Sequence, residues 1–235
     1  MRPGMRMGDL SRISKRIDLL ITIGTGLRGE GVEFGAGAHP FPVGAAAKVR
    51  FADRASTAEL TEREYFGTSA LVPIDFVADF ETMQGVPLDS ADFIIGSHVI
   101  EHTTNPLLAL RSAYQRLRLG GRLVLVVPDK VATFDKNRDV TPLEHLVADY
   151  ARPSRGRDFT HYVDFYTNAF PEPDPVKAAQ GPFEAGHDIH FHVWTYESFA
   201  ELVEYARRTI APWSGVWSRE RMSDQDNEFY FILTK

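Results

Sequence analysis

The fold of this chain is decided between Gly31 and Asp53, where the sequence reads GVEFGAGAHPFPVGAAAKVRFAD. Residues 31–34 predict a short apolar strand, and the two glycines after it permit a turn whose backbone lies close to a ligand. The small residues of 42–47 predict a short helix, and residues 48–52 predict a second strand. Asp53 follows the first glycine at close to the roughly 20-residue spacing at which a carboxylate binds ribose hydroxyls. The stretch therefore predicts the front half of a nucleoside-binding α/β unit.

The composition is that of an ordinary globular protein, with 235 residues of which 43% are apolar and 25% charged. This length suits one domain, residues 1–235, with a substantial insertion. The net charge of −6 is opposite to the basic surface that non-specific nucleic-acid binding requires, so no nucleic-acid partner is expected. The absence of cysteine removes disulfides, thiolate nucleophiles and cysteine-based zinc sites, and it fits a cytoplasmic protein.

Residues 1–30 are expected to form an N-terminal helical cap over one edge of a sheet. Apolar residues recur at helical spacing between Asp9 and Ile23. The predicted apolar stripe consists of Ile13, Ile17, Leu20 and Ile21. The apolar run is too short for a membrane span, and no small-residue cleavage site follows it, so neither a span nor a leader is expected.

Strands and helices then alternate as far as residue 128. The predicted strands are 74–78, 91–97 and 122–127. A helix is predicted over residues 106–119, ended by Gly120 and Gly121. The short connections predict a parallel sheet with helices on both faces and with ligands at the carboxyl ends of its strands.

Residues 132–192 break this alternation, and we interpret them as an inserted lid or substrate region between strands five and six. Thr195 is a predicted N-cap for a helix that continues to residue 208. Residues 215–222 and 228–233 predict two strands joined by a polar turn. The predicted fold is therefore an α/β, Rossmann-like, seven-stranded, mostly parallel sheet with an antiparallel C-terminal hairpin and helices on both faces.

Several ordered motifs are shared with a known family. They are Glu33-x-Gly35-x-Gly37, Asp53, Asp79-Phe80, residues 91–102 and residues 119–123 with their paired glycines. In this order they resemble the motifs of class I S-adenosylmethionine-dependent methyltransferases, specifically the broad type 11 group. The resemblance covers residues 31–128, and the terminal helix and hairpin also fit that fold. A third glycine usual in the family is missing, because residues 38–42 read AHPFP.

The resemblance implies S-adenosylmethionine as the cofactor and assigns a first set of binding residues. Glu33, Gly35 and Gly37 match the motif whose backbone approaches the methionine moiety. Asp53 matches the acidic residue that binds the ribose hydroxyls.

The resemblance also assigns residues after strands three and four. Asp79 and Phe80 match the positions that meet adenine, the carboxylate through the exocyclic amine and the next residue through its backbone N–H. Ser97 and His98 match the positions that face the methyl group and the substrate.

Methyl transfer is an in-line displacement, so the protein must align the acceptor and, for a hydroxyl, often supplies a base. Histidine suits that role because its pKa lies near neutrality. The predicted catalytic residues are His98, His190 and His192. His98 is interpreted as a base or acceptor orienter, with a loop-holding role as the alternative. His102 is interpreted as a loop-bracing residue, and Glu101 either acts in the site or complements a helix N-terminus.

The second candidate group lies in residues 187–192, which read HDIHFH. If this segment is extended, His190 and His192 point the same way and could serve as a base and an orienter. A metal pair and a packed strand are the alternatives. No cysteine or third ligand spacing completes a metal site, although Asp129 and Asp188 are possible oxygen donors, so no metal ligand is predicted.

The insertion, the histidines and the acidic net charge favour O-methylation of a small polar acceptor, such as a sugar or natural-product hydroxyl. After strand four the chain reads SHVI at residues 97–100, not the Asn/Asp-Pro-Pro-Tyr motif of amino-group methylation. Arg152, Arg155 and Arg157 either bind the phosphate of a nucleotide-linked sugar or form a solvated surface. A homodimer is one candidate assembly.

Two other classes of function remain open at this stage. An NAD(P)-dependent Rossmann oxidoreductase predicts a three-glycine turn and a parallel sixth strand. A non-catalytic, methyltransferase-like binding module predicts a blocked cofactor pocket, or binding without turnover.

Overall fold

The computed structural model describes residues 7–62, 70–152, 158–223 and 226–235, and it describes side chains from residue 15 onward. Its centre is a seven-stranded sheet. The strands are β1 Gly29–Phe34, β2 Ala47–Asp53, β3 Phe76–Val77, β4 Ala91–Ser97, β5 Leu117–Pro128, β6 Gly215–Arg219 and β7 Glu228–Thr234. Their order across the sheet is β3-β2-β1-β4-β5-β7-β6. The first five strands are parallel, whereas β7 is antiparallel to both β5 and β6, so the predicted fold class is confirmed.

Seven α-helices accompany the sheet within the described residues. They are α1 Met7–Thr25, α2 Thr57–Glu62, α3 Pro106–Arg116, α4 Leu143–Ala151, α5 Phe159–Asp164, α6 Pro175–Ala185 and α7 Tyr196–Thr209. A capping box between Thr195 and Ser198 fixes the start of α7, as the sequence predicts for Thr195. No described helix combines the length and the apolar character needed to cross a bilayer.

Successive residues of the central strands point to opposite faces of the sheet. On one face, Phe93 and Ile95 of β4 pack in a core with Leu20 and Ile23 of α1. On the other face, Ile94 packs with residues of α3 and α7. Because both faces are covered, the central strands read as continuous apolar runs.

The helix predicted over residues 42–47 does not form. The N–H of Gly44 donates to the carbonyl oxygen of Gly24 in α1, and the N–H of Phe41 donates to Oε1 of Glu33 at 2.9 Å, so these groups close no helical turn. Helix α1 packs against Phe41 of this loop and covers the adjacent face of the sheet. Gly24 of α1 approaches the loop so closely that a Cβ would lie 2.1 Å from the carbonyl oxygen of Pro42. A loop packed on α1 therefore replaces the expected crossover helix.

Two further predictions differ from the structure in detail. The buried side chains of α1 are Leu19, Leu20 and Ile23, so the predicted stripe residues Ile17 and Ile21 are exposed. The side chain of Ile13 lies outside the described residues. Helix α3 ends at Arg116, before the paired glycines, which lie inside β5. Gly120 has a φ of +81° there, and its N–H donates to the carbonyl oxygen of Lys235.

The chain between β5 and α7 contains α4, α5, α6 and a π-helical turn over Phe165–Ala169. It has a small core of its own around Tyr162, Ala179 and Phe191. The hydroxyl of Tyr162 donates to the carbonyl oxygen of His187 at 2.7 Å, which ties α5 to the segment that follows α6.

Candidate active site

A cavity of about 670 Å³ opens at the carboxyl ends of β1 to β4. This volume lies within the roughly 300–1,000 Å³ typical of small-molecule sites. Five of the predicted site residues line it: Gly35, Asp53, Asp79, Phe80 and His98. Because parallel strands end at the same edge of the sheet, residues far apart in the chain meet here.

Gly35 lines the cavity directly after β1. Its φ is +67°, and a Cβ would lie 2.7 Å from Cγ2 of Val99. The residue therefore has two independent reasons to be glycine. Asp53 is the last residue of β2, and its Oδ1 accepts from the N–H of Arg54 at 2.7 Å. Burial raises the pKa of Asp53 in spite of that hydrogen bond.

Asp79 and Phe80 lie beside the ends of β2 and β3. Oδ1 of Asp79 accepts from the N–H of Glu81 at 2.7 Å, which closes a tight turn. The ring of Phe80 packs edge-on against Phe34 at a centroid distance of 5.3 Å, and it lies directly over Gly96, where a Cβ would come within 2.7 Å of it.

Three predicted cofactor residues do not line the cavity. Glu33 is 1% exposed and supports the loop through the N–H of Phe41, while its Oε2 has no hydrogen-bond partner among the described residues. Burial raises its pKa to about 7. Gly37 has a φ of +55° within the same loop, and Ser97 ends β4.

His98 stands at the cavity rim with a φ of +54°. Its Nε2 lies 2.8 Å from Oε2 of Glu228, a residue whose side chain is 1% exposed. The same carboxylate accepts from Arg16 of α1 at 2.6 and 3.0 Å and from the hydroxyl of Tyr230 at 2.5 Å. Burial alone would raise the pKa of Glu228, but these donors lower it to about 2.

The Nδ1 atom of His98 lies 3.7 Å from Oε1 of Glu101. Burial would lower the pKa of His98, but the hydrogen bond to Glu228 and the charge of Glu101 outweigh burial and raise it above its ordinary value of 6.5. Arg16 acts in the opposite direction, less strongly. His98 is therefore held by one carboxylate and faced by another.

Glu101 is buried, and neither of its carboxylate oxygens has a hydrogen-bond partner among the described residues. His102 and His190 also face it, with Nε2 atoms 3.9 and 4.0 Å from its Oε1. Each of these rings is held on its other side, His102 by Asp188 at 3.1 Å and His190 by Asp135 at 2.6 Å. Glu101, His102 and His190 form a set whose ligand atoms could hold a metal ion.

His190 and His192 belong to different clusters. His190 contacts His102 and Phe134, whereas the fully buried His192 contacts His145 and His161. Neither residue lines the cavity. The two side chains do not share one site because residues 187–193 form no strand, so strand alternation does not fix their directions.

The end of α6 and the residues after it, which belong to the region interpreted as a lid or substrate region, line one side of the cavity. Ala185 to Asp188 line it, together with Arg54 and His102. Asp188 lies 2.5 Å from Nη2 of Arg54 and 3.1 Å from Nδ1 of His102, and so connects the insertion to the ends of β2 and β4. Of the three arginines that either bind phosphate or form a solvated surface, Arg152 is exposed and the other two lie outside the described residues.

Sequence reasoning missed Glu228 altogether. The available signal was an acidic residue directly before the aromatic strand FYF at 229–231, where a charge must find partners.

Comparison with known proteins agrees with this geometry. A family model described as "Methyltransferase domain" matches residues 10–206. The chain shares its fold with the DszA carbon methyltransferase (TM-score 0.51, 14% identity, 98% of this chain and 55% of that one). It also shares the fold of an S-adenosylmethionine-dependent methyltransferase from Mesorhizobium loti (TM-score 0.50, 12% identity, 94% of this chain and 96% of that one).

The chain covers only part of two other structures of similar fold. The chain spans 47% of the length of the citrinin polyketide synthase CMeT domain structure and 59% of that of the CurJ carbon methyltransferase. No curated protein matches the chain in sequence.

Proposed function

The chain belongs to the class I S-adenosylmethionine-dependent methyltransferases, and we propose that it methylates a hydroxyl group of a small polar acceptor, with His98 as the proton acceptor. The observation that carries this proposal is the pair formed by His98 and the buried Glu228, 2.8 Å apart at the rim of the cavity. A sugar or a natural-product hydroxyl is the acceptor class that we favour.

The residues of the cavity fit the cofactor. Gly35 lines the cavity with a φ of +67°, so its backbone can face a ligand there, while the side chain of Val99 occupies the space that a Cβ would need. Asp53 would hold the ribose hydroxyls, Asp79 the adenine amine, and the ring of Phe80 would lie beside the adenine. S-adenosylmethionine, when bound, supplies a methyl group that is already activated for transfer.

His98 would act through Nδ1. Because Nε2 hydrogen-bonds to Glu228, the N–H of the neutral ring is held on Nε2, and Nδ1 keeps its lone pair. The acceptor hydroxyl would donate its proton to Nδ1 as the methyl group is transferred. The imidazolium that forms is stabilised by Glu228 on one side and by Glu101 on the other. This arrangement is that of a base held by a carboxylate.

The segment Ala185–Asp188 would exclude water from the acceptor side of the cavity. Asp188 holds this segment in place through Arg54, next to the proposed ribose site at Asp53, and through His102 on the side of His98. An oxidoreductase is disfavoured, since the family match and the antiparallel β7 point away from a dinucleotide-binding sheet.

The proposal is tested by a screen of acceptors. Purified protein is incubated with S-adenosylmethionine and panels of free sugars, nucleotide-linked sugars and phenolic natural products, and S-adenosylhomocysteine release is measured. We expect release that depends on one class of hydroxyl acceptor, with methylation of oxygen verified by mass spectrometry and NMR. Methylation at carbon or nitrogen would overturn the hydroxyl assignment. Cofactor binding without turnover of any acceptor would favour a binding module.

A further inference from the structure

Three histidines and an aspartate meet away from the cavity, beneath the inserted region. His145 and Asp149 lie one turn apart on α4, His161 lies on α5, and His192 precedes α7. The ligand atoms that these four side chains offer all lie within 4.8 Å of one another. None of the four lines the cavity or contacts the His98–Glu228 pair.

The cluster leaves polar atoms unsatisfied in a buried place. Asp149 and His161 are 5% and 7% exposed, and His192 is fully buried. Nε2 of His161 and Nδ1 of His192 lack a hydrogen-bond partner among the described residues, while Nε2 of His145 and Oδ2 of Asp149 face each other at 3.1 Å. Buried polar atoms are normally paired, so two unpaired ring nitrogens beside this ion pair require an explanation.

The arrangement of the rings matches convergence on a central point. The three imidazoles are 5.1 to 5.6 Å apart in pairs, with interplanar angles of 69° to 89°. Rings that share one small ligand must approach it from different directions, and these near-perpendicular rings meet that condition, as edge-to-face packing alone also would.

The distances also match a small cation. Four ligand atoms placed tetrahedrally around zinc, at bonds of about 2.0–2.1 Å, lie about 3.3 Å from one another. Oδ2 of Asp149 lies 3.1 Å from Nε2 of His145, close to this value. The ligand atoms of all four side chains lie within 4.8 Å of one another, so side-chain movements of about an ångström would complete a tetrahedral set.

From this geometry we propose that His145, Asp149, His161 and His192 bind one zinc ion. Three imidazoles and a carboxylate are ligands that Zn²⁺ prefers, and the fourfold protein set leaves no open position. The site is therefore structural. The side chain of His145 is 40% exposed, which gives the ion a path from solvent.

Neighbouring groups support the ligands as the surroundings of a metal site usually do. Nε2 of His192 lies 3.3 Å from the carbonyl oxygen of Thr104. The side-chain amide of Asn105 donates to the carbonyl oxygen of Asp149 at 3.1 Å. Both partners follow Thr103, which lines the cavity. Zinc here would fasten α4, α5 and the segment before α7 to the loop after β4.

The inference does not depend on the proposed methyl transfer, and its test needs no acceptor. Full-length protein is freed of metal with a chelator, and Zn²⁺ is titrated back. We expect about one zinc per chain by elemental analysis and a higher Tm with the metal than without it. With Co²⁺ in place of zinc, we expect the intense visible absorption of tetrahedral cobalt.

The variants His145→Gln and His161→Gln identify the site. Each should lose most of the bound metal and the metal-dependent rise in Tm, while circular dichroism shows a folded chain. His190→Gln is the matched control, because His190 belongs to the separate set around Glu101. The proposal is overturned if wild-type protein binds no stoichiometric zinc. It is also overturned if His190→Gln removes the metal and His161→Gln keeps it.

Discussion

Nε2 of His98 lies 2.8 Å from Oε2 of Glu228, which joins the end of β4 to the start of β7. Arg16 of α1 and the hydroxyl of Tyr230 donate to the same buried carboxylate, so four hydrogen bonds hold its charge in place. The N-terminal helix thus reaches the proposed base through Glu228. Helix α1 and the cavity rim are therefore connected through one carboxylate.

Glu228→Gln should shift the pH dependence of methyl transfer. The charges that face His98 are Glu228 on β7, Glu101 after β4 and Arg16 on α1. Glu228 and Glu101 raise the pKa of His98, so activity should decline as pH falls through a value above 6.5. Removing the charge of Glu228 lowers that pKa, and the acid limb of kcat/KM should move to lower pH.

The control for this profile is Glu30→Gln, which removes an exposed carboxylate on β1. This variant should leave the acid limb of the kcat/KM profile at the wild-type pH. An acid limb that stays in place in Glu228→Gln would show that Glu228 does not position the base.

His98→Gln should reduce kcat and leave cofactor affinity almost unchanged. Loss of a general base costs about 10²–10⁴-fold in rate. His39→Gln, an exposed histidine in the loop after β1, is the matched control and should retain wild-type kcat. Steady-state kinetics and calorimetric titration with S-adenosylhomocysteine separate the two effects. Full activity in His98→Gln would remove His98 from the mechanism.

Gly35→Ala should weaken cofactor binding and destabilise the fold. The new Cβ would meet Val99 at 2.7 Å, and the φ of +67° costs an alanine about 1–2 kcal/mol. Gly181→Ala is the contrasting variant, because Gly181 lies within α6 with nothing within 4 Å of its Cβ position. It should stabilise the protein by about 0.5–1 kcal/mol. Chemical denaturation measures both, and equal effects would contradict the account.

Glu33 should make stability depend on pH. Its pKa is about 7 in the folded protein and 4.5 as a reference value, so the folded state holds a proton that the unfolded chain releases between these values. Stability from this group is complete below pH 4.5 and is lost as pH rises through 7. The difference corresponds to roughly 3 kcal/mol.

Glu33→Gln should flatten this part of the stability curve while keeping an acceptor for the N–H of Phe41. Urea unfolding between pH 4.5 and 8 measures the slope in both proteins. If the wild type and the variant lose stability in parallel over this range, Glu33 is not the group responsible.

The sequence predicts best those features of the fold and site that depend on residues adjacent in the chain. A strand that ends in a carboxylate, as at Asp53, or in a glycine turn, as at Gly35, carries its position in adjacent residues. The parallel topology then brings these ends together without further information. This is why four of the seven predicted cofactor residues line the cavity.

The features that the sequence predicts poorly depend on contacts with residues far away in the chain. The prolines at 40 and 42 were visible, but only the packing of α1 shows what replaces the missing helix. His192 has its nearest ring partners on α4 and α5, so no spacing within HDIHFH could reveal its cluster. Glu228 acts through a residue on another strand, which periodicity does not report.

The central claim is that the cavity at the ends of β1 to β4 holds S-adenosylmethionine. Calorimetric titration of the wild type, Asp53→Ala and Asp89→Asn with S-adenosylhomocysteine and with NADH tests it most directly. We predict saturable S-adenosylhomocysteine binding that Asp53→Ala weakens about 10–100-fold, since each lost charged hydrogen bond costs about 1.5–3 kcal/mol. The exposed control Asp89→Asn should bind normally. Saturable NADH binding without S-adenosylhomocysteine binding would contradict the account.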